Sequence, residues 1–137
     1  MSRHEIINPE SLGAPRGYSN GILAAPGRML FVAGQIAWDG EQQLVSDDFA
    51  TQFGQALENV VAVVKAAGGT VEDLCRLTVY VTDKKAYIAG IKQIGARYRE
   101  LMGRHYPTMA LVEVADLLEE GAQVEIEGTA VLPTEAT

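Results

Sequence analysis

The stretch "QALENVVAVVKAAGGTVEDLCRLTVYVTD", residues 55 to 83, holds the boundaries on which the fold depends. Its first part continues a stripe of Phe49, Phe53, Ala56, Leu57, Val60, Val61 and Val64, spaced by three and four so that the apolar side chains share one side of a helix. Asp47 and Asp48 precede the stripe as N-cap candidates, and Gly68 and Gly69 supply its stop. "TVED" from Thr70 has the spacing of a capping box around one short turn. "LCRLTVYV", 74 to 81, is rich in branched and aromatic side chains and reads as a strand. Asp83 then opens a second helix that would place Tyr87, Ile88, Ile91, Ile94, Tyr98, Leu101 and Met102 inward, ending near Gly103 with Pro107 just beyond.

Outward from this centre, "MLFVA" (29 to 33), "MALVEV" (109 to 114) and "VEIEGTAV" (124 to 131) read as further strands, with weaker ones at 4 to 7 and 18 to 24. The order β-β-β-α-β-α-β-β places the chain in the α+β class, as one sheet with two helices on one face. The other face must then meet water or a partner. Alternation puts Cys75, Leu77, Val79 and Val81 toward the helices and gives the uncovered face Arg76, Thr78 and Tyr80, joined by Met109, Leu111 and Glu113. Methionine, leucine and tyrosine among charges predict an oligomer interface there. The closing "PTEAT" reads as a frayed tail.

The 137 residues, 47% of them apolar, are expected to form a single soluble domain over 1–137 with a core of its own. A net charge of −7, with eleven scattered basic residues, argues against a nucleic-acid surface. The lone Cys75 has no internal disulfide partner, and the N-terminus lacks the basic start, apolar run and cleavage site of a secretory signal. The expected compartment is the cytoplasm. No apolar stretch approaches the roughly 18 to 20 residues that cross a bilayer, so no membrane role is expected.

In "VEIEGTAV" an alternating strand projects Glu125, Glu127, Thr129 and Val131 to one face and Val124, Ile126, Gly128 and Ala130 to the other. Either the two carboxylates are solvated, the ordinary state of strand glutamates, or they look into a cleft. Glu125 is the stronger candidate for accepting a proton from an attacking water. Glu113, on a neighbouring strand, is a candidate ion-pair partner for Arg76. His4 and His105 lack companions at metal-ligand spacing, so no metal is expected. Cys75 is expected as a buried, inert thiol. Tyr18 in "PRGYSNGI" and Gly34 in "FVAGQIAW" stand at strand ends, where a ring can wall a pocket and a backbone N–H can bond a carboxylate, or where both simply serve turns and packing. From these residues alone the chain is a soluble oligomeric α+β domain with an interfacial acid site.

Taken in order, "GYSNGI", "FVAGQIAWD", the 55 to 83 stretch, "YPTMALVEV" and "VEIEGTAV" resemble the RidA/YjgF family of enamine and imine deaminases over roughly residues 4 to 132. The resemblance implies a chorismate-mutase-like fold and a homotrimer with its sheets turned inward and ligand clefts between subunits. It also implies hydrolysis of 2-imino and 2-aminoacrylate intermediates, released by pyridoxal-phosphate enzymes, to 2-keto acids and ammonia, with no metal or organic cofactor. By position, Glu125 matches the glutamate that orients or activates the water, Tyr18 the cleft tyrosine and Gly34 the backbone contact beside the substrate.

Two positions depart from the pattern. Where deaminases of the family carry an arginine that grips the substrate carboxylate, this chain has Met109, and Gly95 stands where a helical asparagine is common. A thioether offers neither the fixed charge nor the planar donor fork of a guanidinium. Its loss should cost about 2 to 5 kcal/mol of substrate binding, so small 2-imino acids should be poor substrates. Arg104 and Arg16 are loop candidates for a replacement charge, or else ordinary surface residues. The expectation is a divergent deaminase or related hydrolase whose less polar substrate rests against Met109 and Leu111 while Glu125 handles a proton. The alternative is a non-catalytic trimeric member that binds a small metabolite or protects proteins. Ribonuclease, an older label of the family, ranks last because the chain is acidic and has no histidine pair or basic groove.

Overall fold

Asp48 begins the first helix. Its side chain accepts a hydrogen bond from the Thr51 backbone N–H at 3.0 Å and another from the Thr51 hydroxyl at 2.8 Å, and helix α1 runs from there over Phe49–Ala66. At its far end Gly68 takes φ +90°, a conformation costly for a residue with a Cβ, and the Gly69 N–H closes back on the Val64 carbonyl at 3.0 Å. The capping box at Thr70 is present, with the Thr70 N–H donating to the Asp73 carboxylate at 2.9 Å.

The computed structural model describes residues 3–134, so residues 135–137 of the expected tail lie outside it. The remaining elements are β1 Glu5–Ile7, β2 Gly21–Leu23, β3 Arg28–Gln35, β4 Leu74–Val81, α2 Lys84–Ala89, α3 Ile91–Met102, β5 Thr108–Glu113 and β6 Val124–Leu132.

The α+β class holds, and three details differ from expectation. The second helix is broken at Gly90, which ends α2 and begins α3 without a side-chain cap. Glycine disfavours helix interiors, and the turn there rotates the stripe: Ile94, Tyr98 and Met102 are buried, while Ile88 and Ile91 stay exposed. The strands form two sheets rather than one. β1 and β2 pair only with each other, and the other four make a sheet of order β3-β6-β4-β5, with β6 antiparallel to both neighbours and β4 parallel to β5.

The third difference concerns which side chains face the helices. Parallel pairing sets Met109 opposite Leu77 and Leu111 opposite Val79. Paired residues share a face, so Met109 and Leu111 lie on the helix-covered side, and Ala110 and Val112 join Thr78 and Tyr80 on the open side. This corrects the expected placement. "MALVEV" has apolar residues on both alternating sets, and only the register with β4 distinguishes them. Glu113 ends β5 opposite Val81, where its carboxylate accepts from the Lys84 N–H at 2.9 Å and caps α2 instead of pairing with Arg76.

Cys75 is also displaced. Leu74 faces Ala130 and Arg76 faces Thr129, so Cys75 is an extra residue, a bulge that reverses the alternation. Leu74 and Leu77 both enter the core, while Cys75 is half-buried and borders the open-face groove with Phe31 and Thr129.

The core fills the space between the covered face and the helices. Leu74, Leu77, Val79 and Ile126 meet Leu57, Val60 and Val64 of α1 and Ile94 of α3, all essentially without solvent contact. The open face carries Arg76, Thr78, Tyr80, Glu125, Glu127 and Thr129, flanked by Met29 and Phe31, which are 60% and 73% exposed.

Candidate functional site

Glu125 is the second residue of β6, opposite Tyr80 on the open face. A second bulge lies beside it. Val32 pairs with Gly128 and Gln35 with Ile126, which leaves β3 one residue longer than its partner across this interval. The bulge brings the Gly34 backbone against the acid: a Cβ at Gly34 would stand 2.7 Å from both Cδ and Oε2 of Glu125. Only glycine leaves that carboxylate where it is. Glu127, two residues on, accepts a hydrogen bond from the Tyr80 hydroxyl at 2.6 Å, and this bond, first among its causes, pushes the Tyr80 pKa up. The Glu125 carboxylate has no hydrogen-bond or ion-pair partner among the described residues. Of two acids on one strand, one is committed to the sheet and the other is open.

Tyr18, Met109 and Gly95 lie elsewhere. The Ser19 hydroxyl donates to the Tyr106 carbonyl at 2.5 Å and the Ser19 N–H to the Pro107 carbonyl at 3.2 Å, which pins the Tyr18 loop to the start of β5. The Tyr18 ring, 40% exposed, opens onto a broad groove of about 1050 Å³ that also receives Arg104 and His105. Met109 instead lines a smaller cavity of about 340 Å³ between α1, α3 and the loop before Tyr18. Gly95 lines it too, so the two departures from the family pattern share one wall system. Arg16 reaches this cavity, whereas Arg104 reaches only the Tyr18 groove. Arg99 also lines it and was not singled out from sequence, although its position four residues after Gly95 was the available signal. Leu111 packs against the core and does not reach the cavity.

The histidines and the cysteine are structural. The His4 Nδ1 accepts from the Ala25 N–H at 2.9 Å, and its Nε2 lies 3.0 Å from the Val131 carbonyl; the His105 Nε2 lies 2.7 Å from the Leu74 carbonyl. Carbonyls only accept, so each Nε2 bears the proton. Burial pushes the Cys75 thiol pKa up, which disfavours the thiolate. Among the described residues no group of three or more His, Cys, Asp or Glu is placed to hold a metal.

A family model described as Endoribonuclease L-PSP matches residues 9–132. The chain is a member of the RidA/YjgF family. It is 36% identical over 128 residues to a RutC family protein of Pyrococcus horikoshii, covering 92% of this chain and 96% of that one. To the 2-iminobutanoate/2-iminopropanoate deaminase of Homo sapiens it is 31% identical over 132 residues, covering 96% and 91%. The structure of YyfB from Yersinia pestis, a conserved Rid family protein of unknown function, superimposes with a TM-score of 0.83 at 36% identity, covering 94% of this chain and 98% of that one. The RidA/YjgF architecture is the chorismate-mutase-like α+β fold seen here. Among the described residues no helix is long and apolar enough to cross a membrane.

Proposed function

We propose that this protein is a RidA-type enamine or imine deaminase, a hydrolase of C=N bonds that works in clefts between the subunits of a cytoplasmic homotrimer. Residues 1–137 act as one domain, with no metal and no organic cofactor. The observation that carries this reading is the open Glu125 carboxylate held against the Gly34 backbone. Two others support it. Glu125 and Met109 occupy opposite faces of the sheet, so a cleft that uses both takes them from different copies of the chain. Met29 and Phe31, further along the same open face as Glu125, leave apolar surface for such a copy to cover.

In the cleft Glu125 accepts a proton as water adds to the imine carbon and returns it to nitrogen. It then takes the proton of the new hydroxyl and delivers it to the same nitrogen as the C=O forms and the C–N bond breaks. One water is consumed, and one ammonia and one keto product leave. Gly34 and Tyr18 border the substrate. Met109 offers it an apolar wall, and Leu111 backs that wall from the core.

The test is ammonia and keto-acid release from 2-aminoacrylate, 2-iminobutanoate and a bulkier apolar imine, each generated in situ, with the native protein and Glu125→Gln. Acceleration that Glu125→Gln abolishes is expected; an equally active variant would remove Glu125 from the mechanism. Met109, which supplies no charge, favours a second reading in which the trimer binds a metabolite and returns it unchanged. Saturable binding with no turnover of any of the three imines would select it. For the RNA cleavage named in the family description the chain offers little: its net charge is −7, and both histidines are tied to carbonyls.

A further inference from the structure

The cavity beside Met109 is unusual in its charge. The chain as a whole is acidic, yet this cavity is lined by two arginines, Arg16 and Arg99, and by no carboxylate. Neither guanidinium has a hydrogen-bond or ion-pair partner among the described residues. The acids nearby on the helices are engaged by another residue, since Arg97 holds Glu58 at 3.1 Å and Glu100 at 3.3 Å.

Arg99, like Arg16, is exposed, and its place on α3 sets it at the rim of the cavity. Helical side chains lean toward the N-terminus, over the preceding turn, and the residue one turn before Arg99 is Gly95. The Arg99 Nη1 lies 3.5 Å from where a Cβ of Gly95 would stand, so the missing side chain leaves the guanidinium room to lie along the helix at the cavity wall. The rest of the cavity is apolar and braced. Ile94 and Met109 line it, Phe53 leans on Tyr87 with ring centres 6.0 Å apart, and Tyr106 stacks on Tyr98 at 5.4 Å. The Tyr98 hydroxyl is spent on the His105 carbonyl at 2.7 Å, which fixes that stack. At about 340 Å³ the space falls at the small end of organic-ligand sites.

We infer that this cavity binds a monocarboxylate with an aromatic or branched apolar body, its carboxylate held by Arg99 and Arg16 and its body seated on Met109 and Ile94. A planar guanidinium fork matches a carboxylate, and Met109 and the rings exclude water from the body. This deepens the proposed function by naming its substrates as 2-imino acids of large apolar amino acids, and it rests on that reading for the reaction but not for the binding.

The experiment is calorimetric titration of the full chain with 3-phenylpropanoate, propanoate and the uncharged 3-phenylpropanamide, alongside Arg99→Gln, Arg16→Gln and Gly95→Gln. The native protein should bind 3-phenylpropanoate about tenfold or more tighter than either comparison compound. Arg99→Gln and Gly95→Gln, the second by filling the space the guanidinium uses, should each cost about tenfold for the acid and leave the amide unchanged. Added salt should shrink the preference for the acid over the amide. Equal affinity for acid and amide, or an Arg99→Gln protein that binds the acid as the native one does, overturns the inference. Imine turnover, measured separately on the imine of phenylalanine, separates the two proposals. Intact selective binding without turnover defeats the deaminase alone, whereas Glu125-dependent turnover that ignores Arg99 and Arg16 defeats the clamp alone.

Discussion

The two faces of the four-stranded sheet are built on opposite principles. On the covered face Leu74, Val79, Val81, Val124 and Ile126 have no solvent contact at all, and each is backed by a helix of the same chain. On the open face the same strands present Arg76, Thr78, Tyr80, Glu125 and Glu127, and the largest apolar side chains there, Met29 and Phe31, remain mostly exposed. Packing settles the first face within one chain. The second has polar groups at defined positions, and Arg76, Thr78 and Glu125 among them have no side-chain partner among the described residues, which is how a surface looks when its function is to meet something else.

Substitutions on the two faces should therefore separate stability from activity. The largest effect is expected from Glu125→Gln, which should lower kcat about 10²- to 10⁴-fold with an unchanged urea midpoint; a matching loss of stability would mean that the open face is structural after all. Leu77→Ala should do the reverse, destabilising by about 2 to 5 kcal/mol in urea unfolding because it empties space at the centre of the covered face. Gly34→Ala comes next. Its methyl displaces the Glu125 carboxylate, so turnover should fall roughly tenfold while KM stays near native, about one power of ten in rate being the cost of a modest misplacement. Phe31→Ser should leave the secondary structure by circular dichroism intact and lower the average mass in sedimentation equilibrium at low concentration, because its ring is exposed within one chain. An unchanged mass would exclude that ring from the interface.

The smallest effect should come from Asp48→Ala, on neither face. Hydrogen bonds from Thr51 hold the Asp48 pKa below its ordinary value. A depressed folded pKa adds stability above the unfolded pKa and loses it as pH falls through the folded one, so native and variant should melt apart at neutral pH and converge in acid below the ordinary aspartate range. A gap that persists there would have to come from something other than the carboxylate.

Local chemistry carried the elements whose signals are local. The Asp48 cap, the Gly68 stop and the Thr70 box each involve residues within a turn of one another, and strands β4 and β6 set most of their buried apolar residues on one side. The rest depended on distant partners. Nothing near Gly90 announces a break, because apolar residues at helical spacing continue across it. β5 offers Met109 and Leu111 on one side and Ala110 and Val112 on the other, so its orientation waits on the register with β4. Bulges at Cys75 and beside Gly34 leave no mark in an alternation count. Of the candidate site, the acid at Glu125 could be read from strand pattern and resemblance, and so could Gly34. Arg99 could be read only in part: its spacing from Gly95 is visible in the sequence, but the cavity it lines is closed by residues of other elements.

The position of β6 has a consequence for how the protein is made. β3 and β4 share no hydrogen bonds; β6 lies between them, pairing Leu132 with Arg28 on one side and Val124 with Val81 on the other. A growing chain on the ribosome therefore carries β3 and the β4–β5 pair as separate pieces, each with an unpaired edge, until residues 124–132 have emerged. The same strand that bears Glu125 also closes the sheet, so a nascent chain gains its candidate catalytic acid and its completed core in one late step, and a message truncated before Val124 would yield aggregation-prone fragments in place of a weakened enzyme.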